Sequence, residues 1–194
     1  SFYALNTAAQ INGVGSDLVE RSIMSYMGRL NYIFNNKYLL TLTGRYDGSS
    51  VLAEGNQWAF FPSAAIAYRL GDEEFIQNLN FFSDLKLRLS YGRVGNDVVA
   101  PYSTQAYLSR TAYDFDGNPA YGYAPRNIGN ADLRWENSEE FNLGINMGFL
   151  GNRINTEVEL YNKKTNDLIQ NVAIPTSLGF GAVTSNVGKL LNRG

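Results

Sequence analysis

Met24-Ser25-Tyr26-Met27-Gly28-Arg29-Leu30-Asn31-Tyr32-Ile33-Phe34, then Asn35-Asn36, then Tyr38-Leu39-Leu40-Thr41-Leu42-Thr43-Gly44-Arg45-Tyr46-Asp47, is the stretch whose alternation decides the fold. Met24, Tyr26, Gly28, Leu30, Tyr32 and Phe34 fall on one side of an extended chain, and Ser25, Met27, Arg29, Asn31 and Ile33 on the other, because successive side chains of a strand point to opposite faces. The returning segment repeats the pattern: Tyr38, Leu40, Leu42, Gly44 and Tyr46 oppose Leu39, Thr41, Thr43, Arg45 and Asp47. Asn35-Asn36 supplies a short turn between them. Each run is about 11 residues, the span of a tilted strand crossing a bilayer. Tyr32, Phe34 and Tyr38 cluster beside the turn while Tyr46 marks the far end, as two membrane interfaces require.

Working outward, the same alternation recurs in Trp58–Leu70, in Leu85–Gly92, in Trp135–Phe149 and in Ile154–Tyr161, and Val187–Arg193 opens a further strand. Pro62 lacks an N–H and predicts a bulge or a strand that starts after it. Gly71–Asp84 reads as a connector with at most one helical turn, its Asp72-Glu73-Glu74 run a solvated cap. Gly95–Asp132 and Ile169–Thr184 show no sustained periodicity. A structureless segment of that length counts against a compact soluble domain, but outer-membrane barrels combine short periplasmic turns with long extracellular loops. The connections alternate short and long throughout. The sequence therefore predicts an all-β, antiparallel up-and-down transmembrane β-barrel segment of about six strands plus the start of a seventh. Even the smallest membrane barrels use about eight strands, so the chain is expected to be one part of a larger wall.

Composition narrows the chemistry. The 194 residues are 44% hydrophobic with a net charge of −2, and 13 Tyr, 11 Phe and 19 Gly accompany 0 Cys and 0 His. The mean hydropathy of −0.24 is what alternation of lipid-facing and lumen-facing residues produces. Without Cys and His the commonest general base, thiol chemistry and most metal sets are excluded, and no cofactor or metal is expected. Lys and Arg are too few and too dispersed for a nucleic-acid partner. No apolar run reaches the about 18 residues of a membrane helix, and Ser1–Gln10 has no signal-peptide pattern.

Two sets of candidate functional residues follow. Tyr102, Tyr107, Tyr113, Phe115, Tyr121 and Tyr123, with Asp114 and Asp116, are the candidates for contact with a substrate or an extracellular partner, since aromatic faces beside hydrogen-bonding groups stack on sugars or hold peptides. Packing of the loop on itself is the competing reading of these tyrosines. Arg29, Arg45, Lys86, Arg88, Glu140, Glu157 and Glu159 are expected to face the lumen, as ion pairs of the wall or as groups that tune solute passage. Asp114-Phe115-Asp116-Gly117-Asn118 lacks the spacing and distal Glu of a calcium loop and reads as a turn. Glu139 and Glu140 are adjacent, hence on opposite faces, and cannot act as a glycosidase pair with each other. No nucleophile and base constellation emerges, and the chain is not read as an enzyme. A soluble glycan-binding β-sandwich with the loop tyrosines as its combining site is the alternative.

Several segments, in order and across nearly the whole chain, resemble the TonB-dependent outer-membrane transporters of the SusC/RagA type found in the Bacteroidetes: Gly28-Arg29-Leu30-Asn31-Tyr32, Lys37-Tyr38-Leu39-Leu40-Thr41, Arg45-Tyr46-Asp47-Gly48-Ser49-Ser50, Phe60-Phe61-Pro62-Ser63, Ser83-Asp84-Leu85-Lys86-Leu87-Arg88, Ser90-Tyr91-Gly92, Gly95-Asn96, Leu133-Arg134-Trp135-Glu136, Tyr161–Leu168 and Asn186-Val187-Gly188. The resemblance implies a barrel of about 22 strands, a plug domain, a TonB-contacting segment and a SusD-like lipoprotein lid, in a protein that imports bulky nutrients such as glycans or peptides across the cell outer membrane. On that resemblance residues 1–194 form a single segment from the later part of the barrel, without plug or TonB-contacting segment. Outer-membrane lipid, the lipoprotein lid and, through other parts of the protein, the TonB complex are its expected partners.

Overall fold

The computed structural model describes residues 18–194; the Ser1–Gln10 stretch examined for a signal sequence lies outside them. Eleven strands are present among the described residues: β1 Ile23–Phe34, β2 Tyr38–Ser49, β3 Trp58–Arg69, β4 Phe82–Asn96, β5 Leu108–Phe115, β6 Asn118–Pro125, β7 Glu136–Phe149, β8 Ile154–Asn166, β9 Ile169–Ala173, β10 Ala182–Asn186 and β11 Lys189–Arg193. Seven form one antiparallel sheet in the order β1-β2-β3-β4-β7-β8-β11, while β5-β6 and β9-β10 are separate two-stranded ribbons. Sequence neighbours in the main sheet are spatial neighbours once the ribbons are set aside, so the expected meander is present, and the chain is an open section of barrel wall.

Register keeps the two faces apart from β1 to β8 of the main sheet. Leu30↔Leu42, Leu40↔Ile66 and Tyr46↔Phe60, Ile66↔Leu89, Leu89↔Leu143 and Leu143↔Leu160 place the apolar sets on one surface. A one-residue slip would reverse them, so the pattern fixes the pairing. No second sheet covers that surface among the described residues: Leu30 is 58%, Ile66 52% and Leu160 59% exposed. An uncovered apolar face of this extent is what a lipid-facing wall presents, and a sandwich would have hidden it.

Aromatic rings edge the apolar band at both ends. Tyr38 stacks on Tyr68 at 4.7 Å beside the β1–β2 turn, and Trp58 stacks on Tyr46 at 5.0 Å at the opposite end. At about 3.4 Å per residue and a tilt of about 40°, the steps from Tyr38 to Tyr46 and from Trp58 to Tyr68 rise about 21 and 26 Å, close to the height of an outer-membrane apolar band.

The turns at one end are tight. Asn35 and Asn36 both have positive φ, 49° and 54°, and the Lys37 amide donates to the Phe34 carbonyl, closing a turn centred on the two asparagines within the three-residue loop that Phe34 and Tyr38 bracket as a pair. The β3–β4 connector holds a 3-10 turn at Leu70–Asp72 and a four-residue helix, α1, at Glu74–Gln77. Glu73 occupies the N-cap position of α1 without a side-chain cap bond, so the expected solvated cap is not what forms. Its carboxylate instead accepts from the Tyr68 hydroxyl at 2.8 Å and pairs with Lys37 at 3.0 Å.

Three further expectations need correction. Pro62 sits inside a continuous β3, opposite Gly44 and without a register shift; the β3–β4 ladder begins only at Ser63, so the missing N–H falls where that ladder has already ended. Gly95–Asp132 is not structureless, because it contains the β5–β6 hairpin. Ile169–Thr184 likewise contains most of the β9–β10 pair.

Candidate functional site

The long-loop end carries the buried core of the described chain. Val51, Leu52, Ala53, Phe61, Val99, Leu133 and Trp135 form it, with Leu133 fully buried. Phe61 meets Trp135 edge to face at 5.4 Å, and the Trp135 indole N–H donates to the Gln57 carbonyl at 2.8 Å. Polar groups brace this core. The buried Asp97 accepts from Ser49 and pairs with Arg21 at 2.8 Å, and Arg45 pairs with Asp47 at 2.6 Å while its guanidinium lies 5.7 Å from the Phe61 ring centre. Asn186 accepts from the Arg134 amide and donates to the Arg134 and Asp167 carbonyls, and Arg134 pairs with Asp167 at 2.8 Å. That carboxylate pushes the Arg134 guanidinium pKa up. The loops at this end are thereby tied to one another.

The eight loop candidates divide between two places. Tyr102 and Tyr107 meet edge to face at 6.3 Å in a groove of about 670 Å³ that Arg126 and Asn127 also line. Burial, with Tyr102 adding to it, pushes the Tyr107 hydroxyl pKa up, and that oxygen has no hydrogen-bond partner among the described residues. The other six belong to the β5–β6 hairpin. Asp116 and Gly117, with φ of 51° and 75°, make its two-residue turn. The pairs Arg110↔Tyr123 and Ala112↔Tyr121 put both tyrosines on the face that Asp114 shares, with the Arg110 guanidinium 3.7 Å from the Tyr121 ring centre. Tyr113 and Phe115, 6.0 Å apart, occupy the opposite face. Tyr113, Phe115, Tyr121 and Tyr123 are all exposed, so the hairpin offers aromatic surfaces on both sides and no enclosed pocket.

The lumen candidates lie on the polar face of the main sheet. Arg88 on β4 reaches across β7 to Glu157 and Glu159 on β8, the second at 2.8 Å. It passes over Gly144, where a Cβ would lie 3.0 Å from the Arg88 Nη2. Arg29 donates to the Thr43 hydroxyl at 3.2 Å, Lys86 stands opposite Asn146, and Glu140 stands opposite Lys163. Alternation had placed these residues on one face, but not the reach of Arg88 over two strands; the signal was the glycine in β7 at its level. No group of three or more acidic, His or Cys side chains suited to a metal occurs among the described residues.

A meander with one apolar and one polar face, girdles at both rims and unlike ends defines a section of outer-membrane β-barrel wall. The family model described as "TonB dependent receptor-like, beta-barrel" matches residues 2–194, and the chain belongs to that family. It is 40% identical over 183 residues to TonB-dependent receptor P26 of Formosa agariphila, covering 94% of this chain and 18% of that protein. With TonB-dependent receptor SusC of Bacteroides thetaiotaomicron it shares 38% identity over 181 residues, 89% of this chain and 18% of SusC. A structure of the RagAB peptide importer in its closed-closed state superposes with a TM-score of 0.87 at 32% identity, covering 99% of this chain and 21% of that one; the open-open state gives 0.82. The SusC/RagA-type resemblance therefore holds, and the location is the outer membrane. The chain spans about a fifth of the length of the proteins it matches.

Proposed function

We propose that these strands form part of the wall of a TonB-dependent importer that carries bulky nutrients, glycans or peptides, and works with a SusD-like lipoprotein lid. The observation that carries this reading is the uncovered apolar face between two aromatic girdles, backed by a polar face bearing Arg29, Arg45, Lys86, Arg88, Glu140, Glu157 and Glu159. The apolar face meets lipid and the polar face borders the solute path. The role is transport rather than catalysis. Residues 1–194 act as one segment of the barrel domain, and the plug and TonB-contacting segment belong to the rest of the protein.

The exposed hairpin rings and the Tyr102–Tyr107 groove are the surfaces through which this segment touches substrate or lid. Stacking on Tyr121 and Tyr123 suits sugar rings, whereas ribbon edges and Arg110 suit peptide. The similarity to a peptide importer, at 32% identity, favours peptide.

The test is Leu87→Arg and, separately, Ile145→Arg in the complete protein, read as heat-modifiable folded barrel recovered from outer membranes. Arg near the bilayer midplane costs about 2–4 kcal/mol, so folded barrel should fall sharply for both. Assembly equal to the wild type at both positions would overturn lipid contact.

A further inference from the structure

The tight-turn end carries more exposed apolar surface than a water-facing turn needs. Phe75, Leu79, Phe81 and Leu150 are 62%, 60%, 64% and 71% exposed. Phe81 packs on Phe82 and Phe149 at 5.0 and 5.3 Å, and Phe82 is paired with Phe149 because a bulge between Phe82 and Asp84 shifts the register. Without that extra residue, alternation would turn Phe82 to the polar face. The connector is also held against the apolar face. Tyr68 belongs to that face, and its hydroxyl together with Lys37 holds the Glu73 carboxylate, while Leu85 of the same face is buried where the turn at Leu70–Asp72 runs beside its backbone. Among these rings and leucines stand two further carboxylates, Asp72 and Glu74, both exposed and neither in an ion pair among the described residues.

We propose that the β3–β4 connector is an interfacial foot. Phe75, Leu79 and Phe81 enter the boundary between headgroups and acyl chains of the periplasmic leaflet, and Asp72 and Glu74 receive the protonated amine of ethanolamine-type phospholipid headgroups. The foot continues the apolar band past its aromatic girdle. Aromatic side chains favour this boundary, short segments with one apolar side lie in it, and carboxylates there attract an ammonium headgroup and repel a purely anionic one. This inference rests on the proposal that the apolar face meets lipid.

The test uses the full-length protein, made otherwise cysteine-free, in nanodiscs. Spin labels are placed singly at Phe75→Cys, Phe81→Cys, Leu87→Cys and Tyr113→Cys, and depth is read from relative accessibility to oxygen and to a water-soluble nickel complex. Leu87 should read deep, Phe75 and Phe81 at headgroup depth, and Tyr113 as water. Phe75 and Phe81 in water with Leu87 deep would overturn the foot and leave the wall standing, whereas Leu87 in water would bring down the wall itself. Headgroup choice is read as broadening of the Phe81 label by headgroup-labelled phosphatidylethanolamine against phosphatidylglycerol. One interfacial charge is worth about a fivefold preference, which D72N/E74Q should bring close to parity. Equal broadening by the two lipids, or a preference that the double variant leaves unchanged, would overturn the headgroup assignment.

Discussion

Gly95 and Gly144 both stand where a side chain would meet a neighbour, and the neighbours give them opposite tolerance. A Cβ at Gly95 would run into the Phe61 ring and lie 2.8 Å from Trp135 Cε3, and both rings are locked in the loop-end core at 3% and 5% exposure. The nearest atoms to a Cβ at Gly144 are those of the Arg88 guanidinium, the far end of a flexible side chain. Gly95→Ala should therefore destabilise the complete barrel by about 1–3 kcal/mol, the range for overpacking. Gly144→Ala should cost less than about 1 kcal/mol, because the displaced Arg88 pairs are more than a third exposed and such pairs are worth little. Urea unfolding in detergent micelles measures both. Glu73 supplies a pH test: its pairing with Lys37, then its bond from Tyr68, hold its pKa below the ordinary 4.5. A folded-state pKa that is lowered contributes stability above about pH 4.5, lost as pH falls through the lowered value. Glu73→Gln should lower stability at neutral pH, and the gap to the wild type should close on acidification below about pH 4.5. A gap that persists there would mean the ionised carboxylate is not what holds the connector.

At the scale of elements, the β5–β6 hairpin makes contacts through its own two strands and stands apart from the seven-stranded sheet. Replacing Leu108–Pro125 by a short Gly-Ser linker should leave heat-modifiable barrel at the wild-type level and reduce co-purification of the proposed SusD-like lid, or uptake of substrate, by severalfold. Unchanged lid capture and unchanged uptake would remove the hairpin from both roles. The wall strands were legible in the sequence because one face must be apolar and the other wet, so Leu40, Leu42 and Tyr46 contrast with Thr41, Thr43 and Arg45. The hairpin was hidden because neither of its faces is buried. Arg110, Ala112 and Asp114 alternate with Thr111, Tyr113 and Phe115 without hydrophobic contrast, leaving Asp116-Gly117 as its one signal, a turn that was recognised without the strands beside it. The loop-end core was hidden for a related reason. Leu52, Val99 and Leu133 come from three separate loops and have no shared period.

At the scale of the whole molecule, the sheet formed by the described residues has two open margins and one open face. Among those residues β1 pairs with β2 alone and β11 with β8 alone, and unpaired edges of this length are templates for association. Among the described residues the buried hydrophobic cluster lies at the loop end, with Leu85 buried singly beside the β3–β4 connector, and nothing comparable lies beneath Leu30, Ile66, Leu89 or Leu160. An isolated water-soluble fold would have to leave that face in contact with water, since burial at about 25 cal/mol per Å² is the principal stabilising term and here the sheet has none to gain on that side. Residues 1–194 expressed alone should therefore aggregate in water. In detergent they should give β-rich circular dichroism without a single cooperative unfolding step, because a seven-stranded section falls short of the about eight strands of the smallest closed membrane barrels. Size-exclusion chromatography with and without detergent, followed by thermal melts, reads both expectations. A detergent-free monomer with a sharp two-state melt would mean that the apolar face finds cover within this chain, and would return the soluble sandwich as the better account.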